Sequence, residues 1–148
     1  MPAEAPVGEP IRWRLHLAAP PETVYDLLAT DAGRARFWAE SALETDGWIE
    51  WRWPGGLEAR TRVLGAHRPH RFAVEYFGGS RATFELAPDG KGGTDVTLTD
   101  EGVRDPDWVE THAGWVSILM ALKAAVDYGV DLRNHDPQRT WDEGFVDN

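Results

Sequence analysis

The sequence predicts one α+β domain in which a curved antiparallel sheet is closed by a long C-terminal helix. Two observations predict this class. In Ile11–Ala18, and in the runs separated by glycine-containing turns between residue 47 and residue 102, apolar and polar residues alternate with a period of two. This alternation is typical of strands with one buried face. The segment from Asp107 to Arg133 instead spaces its apolar residues by three and four, which indicates a helix.

The elements follow one another simply along the chain. A first strand is predicted over Ile11–Ala18 and ends at two prolines. Two short helices are predicted over residues 21–30, with proline in the first turn, and over residues 31–38, with Asp31 as the cap. Five further strands are predicted within residues 47–56, 57–65, 71–80, 81–90 and 94–102.

The strands segregate their charges onto one face of the sheet. The opposite face carries no formal charge, so we expect it to be buried beneath a helix. Because we expect no Asp or Glu there, paired-carboxylate chemistry of the glycosidase type is excluded. The predicted buried positions are Trp13, Leu15, Leu17, Ile49, Trp51, Trp53, Ala59, Thr61, Val63, Phe72, Val74, Tyr76, Ala82, Phe84, Leu86, Val96 and Leu98.

The long helix carries two apolar stripes, and we expect both to face the sheet. It begins after Asp105 and Pro106, which suit a cap and a first turn. Gly114 interrupts it at a cost of about 1 kcal/mol relative to alanine, which predicts close approach of a bulky neighbour. One stripe is Trp108, His112, Trp115, Leu119, Leu122, Val126 and Val130, and the other is Val109, Ala113, Val116, Met120 and Ala124.

The length and composition of the chain limit its domain organisation and the classes of partner that it can bind. The 148 residues predict a flexible arm over 1–9, one domain over 10–133 and a polar tail over 134–148 that is able to dock. A net charge of -10 argues against nucleic acid. The absence of cysteine removes disulfides and thiol chemistry, and no signal peptide or membrane span is expected. These properties are consistent with a cytoplasmic protein.

The order of elements resembles the START-like helix-grip (SRPBCC) superfamily. The resemblance is carried by "APPETVYDLL", by Phe37-Trp38, by "RVLGAHRPHRFAVEY" and by "THAGWVSILMALKAAVDYG". It is strongest to the branch that groups homologues of the heat-shock-protein ATPase activator with polyketide cyclases. The resemblance implies a cavity between sheet and helix that binds lipids, sterols, polyketides or plant metabolites, with cyclisation in some members.

If the chain is similar, the resemblance also implies which residues line the cavity. The short helices near Tyr25 and Trp38 would form part of its mouth. The alternative is a solid core, since aromatic and aliphatic residues at these spacings usually fill a domain completely. The implied lining is Trp38, Trp51, Trp53, Thr61, Val74, Tyr76, Phe84, His112, Trp115, Leu119 and Met120.

No catalytic residue, metal site or cofactor is predicted. His112 is the one histidine expected on the buried face, and without a carboxylate partner it is more typical of a core histidine than of an acid–base catalyst. Thr61 and Tyr76 are expected to satisfy themselves within the core. His67 and His70 lie in a turn that offers no third metal ligand.

Three functions remain open, and the residues favour a binding protein over an enzyme. The first is binding of a small hydrophobic or amphipathic molecule, and the second is catalysis of the cyclase or aromatase kind. The third is a protein-interaction module whose partner is a chaperone. A ligand-sized interior volume would favour binding and a filled interior would favour the module. Self-association through Trp48 or the tail at Trp141 stays open.

Overall fold

The computed structural model describes residues 5–148 and confirms the predicted α+β helix-grip class. Seven antiparallel strands form one curved sheet in the order β1-β7-β6-β5-β4-β3-β2. The elements are β1 (Ile11–Leu17), α1 (Pro21–Ala29), α2 (Asp31–Ala35), β2 (Ser41–Thr45), β3 (Trp48–Arg52), β4 (Glu58–His67), β5 (Arg71–Glu75), β6 (Arg81–Pro88), β7 (Thr94–Glu101) and α3 (Asp105–Tyr128).

The strand register brings the predicted buried residues together on one face. Phe72 on β5 pairs with Phe84 on β6, which pairs with Leu98 on β7, and Leu98 pairs with Trp13 on β1. Because side chains alternate across a strand, this alignment turns four separate apolar patterns into one continuous surface. The predicted segregation of charge is confirmed for β3, β5 and β6.

The strand β2 was not predicted. It pairs with β3, with Ala42 opposite Trp51, and forms one edge of the sheet. Only Ala42 is buried in it, while Leu43 is 55% exposed, so the alternation that identifies the other strands is too short here to detect.

The corner between α1 and α2 is held by a buried guanidinium. Arg34 is fully buried, and it donates to the carbonyl oxygens of Leu28 and Ala42 at 2.9–3.3 Å and to Asp31 at 2.7 Å. The cap of α2 is Thr30 rather than the predicted Asp31, since the Thr30 hydroxyl accepts from the Gly33 amide at 3.0 Å. The corner fixes where the chain enters residues 36–40.

Helix α3 lies across the buried face with one stripe inward. Trp115, Leu119 and Leu122 are 1%, 4% and 0% exposed, whereas Val116 and Met120 are 41% and 48% exposed. The prediction that both stripes face the sheet is therefore wrong, because one sheet surface covers only one side of a helix. Only Ala124 of the second stripe is buried.

The helix ends earlier than predicted, and its glycine is not approached as closely as predicted. Gly129 has φ +64° and stops α3 at Tyr128, because a left-handed residue cannot continue the helix. Trp141 lies over Gly114, where an added Cβ would be 4.0 Å from its ring. That distance is ordinary contact, so alanine would fit.

The chain termini pack against the domain. The predicted arm over 1–9 lies partly outside the described residues; from Ala5 onward it follows the start of α3. The Gly8 amide donates to the Val103 carbonyl at 2.8 Å, and Trp108 Nε1 donates to the Glu9 carbonyl at 2.8 Å. None of the helices within residues 5–148 is long and apolar enough to cross a membrane.

Candidate ligand-binding site

An aromatic cluster fills the space between the sheet and the first half of α3. Trp38 lies at its centre, in the segment 36–40 that joins α2 to β2 and that we call the entrance segment. The ring centroid of Trp38 lies 4.7 Å from Trp51, 5.4 Å from Phe84, 5.9 Å from Tyr76 and 6.0 Å from Trp115. These separations are those of aromatic rings in direct contact.

Each indole of the cluster uses its N–H group. Trp51 Nε1 donates to the Thr61 hydroxyl at 2.8 Å. Both side chains are buried, as predicted, and this hydrogen bond joins them. Trp38 Nε1 donates to the Tyr76 hydroxyl at 3.1 Å, and Trp53 Nε1 donates to the Trp38 carbonyl at 2.8 Å. The cluster is therefore tied by directional bonds as well as by packing.

The buried face carries a carboxyl group, contrary to prediction. Asp100 on β7 is fully buried and its Oδ2 accepts from Trp115 Nε1 at 2.8 Å. It follows Val96 and Leu98 at the period of two that places side chains on one face. Burial raises the pKa of Asp100, and the nearby Trp115 and Ser80 offset this only in part.

Two polar atoms beside this carboxyl have no hydrogen-bond partner among the described residues. They are Asp100 Oδ1 and the Ser80 hydroxyl, and both residues are at most 1% exposed. Ser80 lies close enough to lower the pKa of Asp100, yet the geometry between them is not that of a hydrogen bond. Their contact with each other is weaker than a full hydrogen bond and leaves bonding capacity unused, so they mark a polar site within an apolar interior.

Tyr76 belongs to the same polar site. Burial raises the pKa of Tyr76, which keeps its hydroxyl neutral. The hydroxyl accepts from Trp38, and no described residue accepts a hydrogen bond from it. Asp100, Ser80 and Tyr76 thus supply buried hydrogen-bonding groups near one another, since Asp100 also influences the pKa of Tyr76.

Two predicted lining residues lie elsewhere. His112 is half-buried at the β1 side, where its ring lies 4.6 Å from Trp13 and 4.7 Å from Trp108, nearly parallel to the latter. Met120 is on the outward side of α3. The structure brings the other nine together in or against the buried core: Trp38, Trp51, Trp53, Thr61, Val74, Tyr76, Phe84, Trp115 and Leu119.

The surface grooves are separate from this cluster. One of about 490 Å³ lies on the polar face of the sheet and is lined by Arg12, Arg71 and Arg81 together with Glu85, Glu101 and three threonines. Its mixed charge is typical of solvated cross-strand pairs. Another of about 390 Å³ lies beside Trp108 and Val109. Among residues 5–148, no three His, Asp or Glu side chains are grouped to hold a metal ion.

Asp100 could have been found in the sequence, and Ser80 could not. The strand pattern of β7 simply continues two residues past Leu98, and extending it places Asp100 on the buried face. Ser80 follows two glycines in a turn, where serine is ordinary. Its burial depends on the neighbouring strand, which the local sequence does not specify.

The comparisons with known proteins support the fold. A family model described as Activator of Hsp90 ATPase homolog 1-like protein matches residues 18–127. Among the curated proteins, none matches the chain significantly.

Several solved structures have the same fold at low sequence identity. A protein from Staphylococcus saprophyticus is 22% identical, with a TM-score of 0.74 over 87% of this chain and 99% of its own. The Aha1 dimer from Colwellia psychrerythraea is 22% identical, with a TM-score of 0.73 over 82% and 98%. CalU16 from Micromonospora echinospora is 21% identical, with a TM-score of 0.65 over 78% and 72%.

Proposed function

The chain belongs to the family of Activator of Hsp90 ATPase homolog 1-like proteins, and on that premise we propose that it binds a small amphipathic molecule between the sheet and α3. The apolar part of the ligand contacts the rings around Trp38, and its polar part bonds to Asp100 and Ser80. The observation that carries the proposal is the pair of buried polar atoms without partners.

The chemistry of the polar site selects the ligand class. A buried carboxyl group, a serine hydroxyl and a tyrosine hydroxyl can all bond to a neutral hydroxyl group, and the two hydroxyls can also donate to a carbonyl oxygen. A carboxylate ligand would instead bring an uncompensated charge into the interior beside Asp100. No second acid–base group among the described residues is hydrogen-bonded to Asp100, which favours binding over catalysis.

The aromatic rings occupy the space that a ligand needs. A filled interior by itself favours the alternative function, a protein-interaction module, over ligand binding. Binding therefore requires one ring to move. Trp38 is the best candidate, because the entrance segment is a loop while Trp51, Phe84 and Trp115 are held in β3, β6 and α3. Binding on this mechanism is coupled to a loop opening.

The proposal is tested by following indole N–H signals in NMR spectra during titration with three matched aromatic probes. We expect 2-naphthol to shift the signals of Trp38 and Trp115 to saturation. Naphthalene lacks the oxygen and should bind roughly fivefold more weakly for each hydrogen bond lost, and 2-naphthoate should not bind. Trp48 is an internal control, since it lies on the polar face with Arg60 4.3 Å above its ring.

Variants connect the binding to the polar site. Asp100→Leu should abolish the preference for 2-naphthol over naphthalene, and Ser80→Ala should reduce it. Asp95→Asn is the matched control, because Asp95 lies on the same strand with its side chain on the polar face. Equal binding of both probes by the unmodified chain, or no shift at Trp38 and Trp115 with any probe, would contradict the proposal.

A second candidate function is contact with a chaperone, and the outward stripe of α3 favours it. Val109, Val116 and Met120 are 76%, 41% and 48% exposed, and acidic Asp107 and Glu110 flank them. An apolar patch with an acidic rim fits a partner of basic rim. Purified Hsp90-class ATPase should be stimulated by the chain and less by Met120→Asp; unchanged ATPase activity with either protein would remove this candidate.

A further inference from the structure

The residues after α3 return across the domain as a strap, which we define as residues 129–148. The family match ends at residue 127, so the strap lies outside the part that defines the family. It begins at Gly129 and is closed on itself near its end, where Asn134 donates from its side chain to Asp147 at 3.1 Å. Its contacts with the domain are concentrated at the entrance segment and at α3.

Arg133 attaches the strap to both sides of Trp38. Its side chain is only 8% exposed, and its two terminal nitrogens donate to the carbonyl oxygens of Ala35 and Ala39, each at 2.7 Å. Asp131 bonds to the same guanidinium at 3.0 Å and fixes its plane. A buried charge bonded to two carbonyl groups holds that backbone in place, because releasing either would leave unpaired donors.

A histidine makes the second attachment at the entrance segment. His135 Nδ1 lies 2.5 Å from the Glu40 carboxylate, and Nε2 lies 2.6 Å from Asp131. The strap is therefore bonded to Ala35, the last residue of α2, and to residues 39 and 40 of the entrance segment, with Trp38 between them. Arg36 adds an independent bond to the Ala125 carbonyl of α3 at 2.9 Å, so the domain does not depend on the strap alone.

The far part of the strap attaches to the opposite side of the entrance. Trp141 Nε1 donates to Glu110 on α3 at 2.8 Å, and the Ser117 hydroxyl bonds to the Val146 carbonyl. Thr140 packs against Gly55 in the turn between β3 and β4, where an added Cβ would lie only 2.7 Å from the threonine methyl group. The strap thus spans the entrance segment, this turn and α3.

We propose that the strap is a latch that holds the entrance segment closed, with Arg133 as the residue that positions Trp38. Opening of the latch frees Trp38 to leave the aromatic cluster. The inference rests on the proposed function only for the identity of the ligand that enters after the latch opens. That the strap holds the entrance segment and Trp38 in place does not depend on any ligand.

The latch is tested first without any ligand, by hydrogen exchange at the Trp38 indole N–H. Arg133→Gln should accelerate this exchange roughly tenfold, while Arg139→Gln should not, because the Arg139 side chain bonds only to Asp136 within the strap. A second pair of variants tests the contact of the strap at Thr140. Gly55→Ala and Gly56→Ala carry the same positive-φ cost, at +82° and +84°, but only the first displaces Thr140.

Exchange at Trp38 that is equally fast in both members of each pair would overturn the latch. The second measurement is the rate at which 2-naphthol quenches tryptophan fluorescence after rapid mixing, and we expect it to rise in Arg133→Gln and Gly55→Ala. Faster exchange without any 2-naphthol binding would support the latch and overturn the proposed function. Binding of 2-naphthol at one rate in all four variants would overturn the latch and leave the binding function standing.

Discussion

The two halves of the buried interior differ in whether their buried polar groups are fully hydrogen-bonded. The aliphatic half contains Leu17, Val24, Leu28, Leu86, Val96 and Leu122, all at most 3% exposed. The buried Thr94 hydroxyl beside it is bonded to the Ala19 carbonyl at 2.8 Å. The aromatic half around Trp38 contains a buried carboxyl and a serine with unused bonding capacity, beneath a loop and the strap. We propose from this difference that the aliphatic half supplies stability and that the aromatic half forms the binding site.

The largest expected effect belongs to the aliphatic half. Leu122→Ala should lower the free energy of unfolding by about 2–5 kcal/mol, because it removes a fully buried side chain and leaves a cavity. Urea denaturation measures this, with Val116→Ala on the exposed side of the same helix as control. The titration of Trp38 by 2-naphthol should stay unchanged at low temperature; loss of that titration would break the comparison.

Replacing the buried carboxyl group of Asp100 with an amide should stabilise the folded chain at high pH. This result would sharpen the contrast between the aromatic half and the aliphatic half. Since burial raises its folded pKa above the ordinary 3.8, its contribution to stability is complete below that pH and is lost as the pH rises through the folded pKa. Asp100→Asn should therefore be more stable than the unmodified chain at pH 8 and no more stable than it at pH 3. Thermal unfolding across this range, with Asp95→Asn alongside, measures the gain; a loss of stability at pH 8 would contradict the raised pKa.

A smaller effect is expected where Trp53 supports the entrance segment. Trp53→Phe removes the hydrogen bond to the Trp38 carbonyl and keeps the stacking on Trp51, whose ring centroid lies 5.4 Å away. We expect a loss of about 0.5–1.5 kcal/mol in the free energy of unfolding and faster exchange at Trp38. Trp48→Phe on the polar face is the control, and equal exchange in the two variants would show that Trp53 does not support the segment.

The smallest effect is the pH dependence of the strap. Hydrogen bonds to Asp131 and Glu40 raise the pKa of His135 above 6.5, so this attachment is complete below pH 6.5 and is lost as pH rises through the folded value. Burial opposes ionisation of Asp131, but bonds from Arg133 and His135 outweigh it and hold its pKa below 3.8.

The attachment at His135 should therefore be strongest between about pH 4 and pH 6.5. Indole exchange at Trp38, corrected for the intrinsic pH dependence with Trp48, should slow in this window. His135→Gln should remove the change, and a profile that persists in His135→Gln would assign the effect to another group.

The sequence was a good guide to whatever depends on local periodicity. The alternating runs identified the buried face at Trp51, Tyr76 and Phe84, and the helical spacing identified Trp115 and Leu119. It was a poor guide where the burial of a side chain depends on whether another part of the chain packs over it. Met120 has the spacing of a buried residue, but no second layer covers it. The sequence places Arg133 at the end of the long helical segment, where no periodic signal predicts its burial. That burial arises where the returning chain meets Ala35 and Ala39.

The return of the strap to α3 also decides how the protein should be handled at the bench. Asn148 directly follows Asp147, whose side chain is bonded to Asn134, so a purification tag or surface attachment at the carboxyl end would pull on the latch. Gly8 bonds instead to Val103, away from the strap. We therefore expect binding kinetics measured with a carboxyl-terminal tag to differ from those measured with an amino-terminal tag.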